Sequence, residues 1–189
     1  MKLNIIPLTP NRWADFEQLF GPRGACAGCW CMYWKLPRKD FTAGQGDHNR
    51  LAQKQIVASG RIPGLLAFVD GNPAGWVAVE PRENYPVLKN SRILKPLDEL
   101  PVWSVTCFFV AKEYRSQGLT VTLLKAAIDH VTKKAGKLVE GYPVEPSESA
   151  KMPPAFVYTG LVSAFKQAGF SEAGRRSGTR PIMRYFIKK

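Results

Sequence analysis

Apolar residues recur along the chain in short blocks whose spacing alternates between the period of a strand and that of a helix. Residues 3–8 form an apolar block that predicts a first strand, and Thr9-Pro10 then opens a helix in which Trp13, Phe16, Leu19 and Phe20 fall on one face. Gly21-Pro22 stops that helix, and a Gly-, Cys- and aromatic-rich segment follows as irregular chain. Residues 49–59 set Leu51, Ile56 and Val57 among polar positions, which predicts a second helix closed by Gly60.

Two apolar runs, residues 65–69 and 75–79, flank Asp70-Gly71-Asn72-Pro73. The Asp-Gly pair tolerates positive φ, so an antiparallel hairpin is expected there. Residues 82–100 are rich in Pro and charge and read as a long loop with one turn of helix, and loops of that length inside compact domains are more often functional than idle. Residues 102–110 are apolar and β-branched enough for a central strand. The next stretch, 119–135, carries Leu119, Leu123, Leu124, Ala127, Ile128 and Val131 at helical spacing and ends at Gly136. A short strand over 138–142, a Pro- and Ser-rich connection over 143–154, a helix over 158–168 closed by Gly169, and strands over 170–174 and 181–187 complete the order. No internal repeat interrupts it. Alternating strands and helices of this kind predict one α/β (α+β) domain over residues 1–189.

Composition narrows the classes. Hydrophobic residues make up 45% and charged residues 22% of 189 positions, an ordinary globular balance. No apolar run approaches the ~18 residues of a membrane span, and the N-terminal residues lack a secretory leader, so a cytoplasmic protein without membrane contact is expected. The 27 Lys and Arg against 15 Asp and Glu give a net charge of +12. The basic residues are spread out rather than interleaved with aromatics, which points away from nucleic acid and towards a diffuse field that favours an anionic ligand.

Three of the four cysteines, Cys26, Cys29 and Cys31, crowd into Gly24-Ala-Cys-Ala-Gly-Cys-Trp-Cys-Met-Tyr-Trp34, and the fourth is Cys107. The spacing supplies three thiolates, but His48 and His130 lie far away in sequence and no fourth zinc ligand is evident. No metal is therefore expected. The favoured reading is an apolar, aromatic-rich wall of a pocket.

The chemistry-bearing unit is the run from the central strand into Arg115-Ser-Gln-Gly-Leu-Thr120 and the helix after it. The first amides of a helix lack intrahelical partners and sit at the positive end of its dipole, so they bind anions. Gly118 leaves room for a phosphate to approach the backbone, and Arg115 adds a cation. A plain strand-to-helix connection is the alternative reading of the same residues.

Val110-Ala-Lys-Glu-Tyr-Arg-Ser-Gln-Gly-Leu-Thr120 resembles the cofactor segment of the GNAT N-acetyltransferase superfamily, and Ala164-Phe-Lys-Gln-Ala-Gly-Phe170 is similar to that family's late-helix ending. Thr120 stands where the family usually has Gly or Ala. The family's frequent late-helix tyrosine falls on Phe165, which has no proton to give, and the family asparagine seven residues earlier falls on Tyr158. The resemblance implies a mixed, mostly antiparallel sheet of six to seven strands, split at the cofactor site, with helices on both faces. It also implies acetyl-CoA as cofactor, held by Phe108, Phe109, Val110, Arg115, Ser116, Gln117, Gly118, Leu119 and Thr120, with a backbone N–H near Phe108 or Phe109 facing the developing oxyanion.

Acetyl transfer directly to a primary amine, of a small molecule first and of a protein Lys or N-terminus second, is the activity implied. A non-catalytic acyl-CoA-binding module and a zinc-stapled nucleic-acid binder are the readings from other classes. The side chains that would act are Tyr158 as acid, on one face of the late helix, and Glu80 and Glu145 as carboxylates able to take a proton. Cys29, Trp30, Cys31, Tyr33 and Trp34 are expected to line the acceptor pocket, suiting an apolar or cationic amine. Whether the chain pairs as a homodimer is left open.

Overall fold

The computed structural model describes residues 2–146 and 157–188. Seven strands form one sheet: β1 (Leu3–Pro7), β2 (Gly64–Val69), β3 (Asn72–Pro81), β4 (Trp103–Val110), β5 (Leu138–Gly141), β6 (Ser171–Arg175) and β7 (Pro181–Phe186), in the order β1-β2-β3-β4-β5-β7-β6. Every neighbouring pair is antiparallel except β4 and β5. The helices are α1 (Trp13–Phe20), α2 (Arg38–Ala43), α3 (Asp47–Ala58), α4 (Pro86–Lys89), α5 (Leu119–Lys133) and α6 (Val162–Gln167).

Period-two alternation distributes the side chains of β2 to two cores. Leu65, Ala67 and Val69 pack with Leu119, Leu123, Leu124, Ala127 and Phe165 on one face, while Leu66 and Phe68 pack with Phe16, Phe20, Trp30 and Trp76 on the other. With both faces covered, all six β2 residues are buried. The β2–β3 hairpin turns at Asp70 and Gly71, at φ 48° and 86°, the conformation that the Asp-Gly pair predicts.

Several expectations shift. The sequence pattern misses α2, a short helix with one buried residue, Phe41. The late helix is shorter than 158–168, because Gly160 at φ 86° and the extended Leu161 break it and Leu161 bridges to Val144. Tyr158 therefore precedes the helix instead of projecting from its face. The 82–100 loop is held by Arg184, whose guanidinium donates to Asp98 at 2.5 and 3.0 Å and to Glu140 at 2.8 Å, and by Arg82, which donates to the Leu94 carbonyl. Residues 147–154 of the Pro- and Ser-rich connection lie outside the described residues.

The feature that matters for function is the short parallel pairing of β4 with β5. It runs only from Trp103↔Val139 to Val105↔Gly141. Pro143 then brings a residue without an N–H, and the ladder cannot continue. Beyond Val105 the two strands part, and the Phe108 N–H donates instead to the Tyr158 carbonyl at 2.6 Å.

Phe165, fully buried, packs its ring into the space that a Cβ on Gly141 would need. Such an atom would sit 2.2 Å from one ring carbon and 2.6 Å from another. Gly141→Ala is thus expected to destabilise the fold by about 1–3 kcal/mol through overpacking, read as a lower urea midpoint at unchanged slope.

Candidate functional site

Five consecutive backbone amides converge where β4 gives way to α5. Those of Ser116, Gln117 and Gly118 have no hydrogen-bond partner among the described residues, and those of Leu119 and Thr120 open the helix, where no intrahelical acceptor exists. Gly118 takes the N-cap position at φ 78°, a left-handed conformation, and open space surrounds the place where its Cβ would be. Ser116 is also left-handed at φ 60°. Two left-handed residues separated by one position thus precede a 15-residue helix, where the unpaired amides and the helix dipole make a positively polarised cradle. Arg115 stands beside it, its Nε donating to the Val110 carbonyl at 2.9 Å.

A cavity of about 530 Å³ runs from this cradle to the cysteine-rich segment, a size common for small-molecule sites. Phe108, Phe109, Val110, Arg115 and Thr120 border it at the cradle end. Cys29, Cys31 and Tyr33 border it towards the cysteine-rich segment, and Tyr158 lies between, beside both Phe108 and Tyr33. Leu119 is buried in the core, and Ser116, Gln117, Gly118 and Leu119 are not among the residues that border the cavity.

Two of the expected pocket residues are elsewhere. Trp30 is packed into the core, stacked on Phe20 at 5.7 Å, and Trp34 joins the separate cluster of Tyr85, Leu88 and Leu94. Trp30 is buried and Trp34 partly buried, each against neighbours other than the cavity. Their places along the wall go to Phe20, Arg38, Phe41 and Cys107. The guanidinium of Arg38 lies over the Tyr33 ring at 5.0 Å and the Phe41 ring at 5.8 Å. Strand alternation offered a signal for Cys107, which shares the face of Phe109. Nothing in the pattern marked Arg38.

The two carboxylates are not at the cavity. Glu80 is buried and accepts hydrogen bonds from Lys35, from Arg61 at 2.6 and 3.2 Å, and from Asn84 at 3.3 Å. Glu145 pairs with Arg175 at 2.6 Å in a half-exposed position. No Asp or Glu borders the cavity among the described residues. Tyr158 does border it. Its ring meets Tyr33 edge-on at 6.0 Å, and burial raises its phenol above the ordinary range, keeping it protonated at neutral pH.

The Phe108 and Phe109 amides differ in direction. Alternation along β4 turns Phe109 towards its partner Trp76 on β3, while Phe108 faces the parting of the strands and already donates to Tyr158. Val110, two residues on, faces the same way as Phe108.

A sheet parted beside unpaired amides at a helix start is a geometry that suits an extended, anionic ligand. Residues 30–144, more than half of the chain, match the family model described as "Acetyltransferase (GNAT) family", and the chain belongs to that family of acyltransferases. No curated protein matches the sequence. Among solved structures it is similar to the paia N-acetyltransferase of Thermoplasma acidophilum in complex with coenzyme A, at 15% identity and a TM-score of 0.55, covering 99% of this chain and 100% of that one. It is also similar to a GNAT-family acetyltransferase of Listeria monocytogenes 4b F2365, at 11% identity and a TM-score of 0.61, covering 98% and 95%. A third similar structure is the NatC complex bound to Gag peptide and CoA, at 12% identity and a TM-score of 0.57, covering 100% of both chains. These likenesses are of fold. No helix among the described residues is long and apolar enough to cross a membrane.

The burial of Glu80 and Lys35 makes their pair a structural element with a measurable cost. Glu80→Ala strands the Lys35 ammonium and should lower stability by about 3–5 kcal/mol in urea unfolding. Glu145→Ala, at a half-exposed pair screened by solvent, should leave the urea midpoint nearly unchanged.

Proposed function

We propose that this chain is an N-acetyltransferase that moves acetyl from acetyl-CoA directly to the primary amine of a small, largely apolar molecule. The observation that carries the reading is one cavity that begins at Arg115 and Thr120, which flank the 116–119 amides, and follows β4 to an aromatic and thiol-lined end. The residues fit the cofactor: unpaired amides, an αL glycine with open space above it and Arg115 suit a diphosphate, and the exposed edge of β4 suits an extended amide-bearing arm. When bound, acetyl-CoA supplies an activated acetyl thioester.

The chain's own residues then have four tasks. The amides of 116–120 and Arg115 neutralise the diphosphate. The backbone of Val110 and the Phe108 carbonyl orient the arm, and the Phe108 N–H exchanges the Tyr158 carbonyl for the acyl oxygen. That same N–H, once released, faces the acyl oxygen as charge develops on it. The Tyr158 phenol, held protonated by burial, donates a hydrogen bond towards the departing sulfur. Its raised pKa makes it a better donor of a hydrogen bond than of a full proton.

Deprotonation of the amine needs no carboxylate in this arrangement. Transfer of an ammonium from water to walls made of Phe20, Tyr33, Phe41, Phe109 and thiols lowers its pKa by desolvation, and the nearby Arg38 guanidinium adds to the effect. The neutral, nucleophilic form is thereby favoured, with the proton leaving through water. A cavity of this size also favours a small acceptor over a folded protein surface.

An assay of coenzyme A release across a panel of primary amines tests the reading, and turnover with none of them would contradict it. Gly118→Asp places a carboxylate against the diphosphate and should weaken acetyl-CoA binding at least about tenfold, the weight of one lost charged contact, while the circular dichroism spectrum stays native. Calorimetric affinity equal to that of the unmodified protein would remove the cradle from the account. Tyr158→Phe should slow turnover roughly tenfold to a hundredfold with acetyl-CoA affinity retained, as expected for one hydrogen bond to a charge that grows in the transition state. Equal turnover would exclude that role.

A further inference from the structure

The proposed acyl transfer uses the thiols only as wall, yet Cys29, Cys31 and Cys107, with the more exposed Cys26, all border the same cavity. Cys31 and Cys107 also pack in one cluster around Trp76: the Trp76 indole meets Cys31, and Cys107 pairs with Ala78, two positions along the same face of β3. The Cys31 sulfur accepts the Nε1–H of the fully buried Trp76 at 3.2 Å. Behind it lies the Lys35 ammonium, itself held by Glu80. A sulfur with a fixed N–H donor is placed to carry negative charge; the Lys35 charge favours that form, and the Glu80 carboxylate paired with Lys35 opposes it.

The backbone is bent to put it there. Ala25, Ala27, Trp30 and Cys31 all adopt positive φ, at 68°, 48°, 46° and 63°. Residues with a Cβ avoid this region, and four within seven positions represent strain that the surrounding packing must hold. The three thiols also differ in acidity. Hydrogen bonds from Cys107 and Trp76, with the Lys35 charge, draw the Cys31 thiol down, the shared contact pushes Cys107 up, and burial pushes Cys29 up to about 11. Cys31 is the attacking sulfur of the set and Cys107 its neighbour in reserve.

We propose that Cys31 and Cys107 form a thiol–disulfide exchange site in the wall of the cavity, whose ligands are low-molecular-weight disulfides. The Cys31 thiolate attacks one sulfur of R–S–S–R, forming a Cys31–S–S–R bond and releasing RS⁻. The Cys107 thiol then loses its proton to water and displaces the second RS⁻, closing a Cys31–Cys107 disulfide. Two protein thiols are oxidised, one small disulfide is reduced to two small thiols, and excess thiol reverses both steps. The closed form ties the cysteine-rich segment to β4 one residue before Phe108, across the cavity.

The test uses the full chain carrying Cys26→Ser, which removes the exposed thiol, and hydroxyethyl disulfide as the probe. Intact mass should fall by two hydrogens without any retained adduct, and peptide mapping should join Cys31 to Cys107. Adding Cys107→Ser should leave a stable mixed disulfide on Cys31, because no second sulfur resolves it. Adding Cys31→Ser should leave Cys107 and Cys29 unmodified over the same time. A cross-link of Cys29 to Cys31, equal labelling of Cys107 in the Cys31→Ser chain, or no reaction in the native chain while its urea-unfolded form reacts fully would each overturn the proposal.

Discussion

The parting of β4 from β5 is the constraint on which the rest depends. Two parallel strands that stayed paired would satisfy each other's backbone groups and leave no edge for a ligand. Here the ladder stops after Val105↔Gly141, where Pro143 removes a donor and Gly160 and Leu161 turn the returning chain across the gap. The cavity, the direction of the Phe108 amide and the approach to the α5 cradle all follow from that interruption.

The cradle and the parting act together because β4 delivers both. Its edge lies along the opening, and its C-terminal end feeds through Ser116 and Gly118, both left-handed, into the first turn of α5. Burial on both faces of β2 and β3 holds the strand beneath in place. The buried charges serve the same rigidity. Glu80 gathers Lys35, Arg61 and Asn84 on one side, and Glu140 gathers Arg82 and Arg184 on the other, so the loops around the site are tied to strands.

Much of this was legible in the residues. The Asp-Gly turn, the amphipathic run from Leu119 and the Arg115-to-Thr120 loop carry local signals strong enough to outweigh tertiary context, and the family resemblance followed from them. What failed to show were features that depend on packing between distant segments. The resemblance puts Trp30 and Trp34 in the acceptor pocket, because the family's early helices and the loop between them cover that side, but Trp30, itself left-handed, packs into the core and Trp34 packs against Tyr85, Leu88 and Leu94. Glu80 looked available as a carboxylate until Lys35 and Arg61, 45 and 19 positions away, were seen to claim it. Tyr158 reached the cavity by a route other than the helix expected for it, since one glycine at positive φ was enough to end the periodic pattern early.

Amide hydrogen exchange with and without coenzyme A tests the central claim most directly, because it reads the backbone groups themselves. The account predicts slowed exchange at residues 116–120 and at Val110 on binding, with little change along the outer strands β1 and β6. Binding that leaves those amides exchanging as before, or that protects a different helix start, would contradict it.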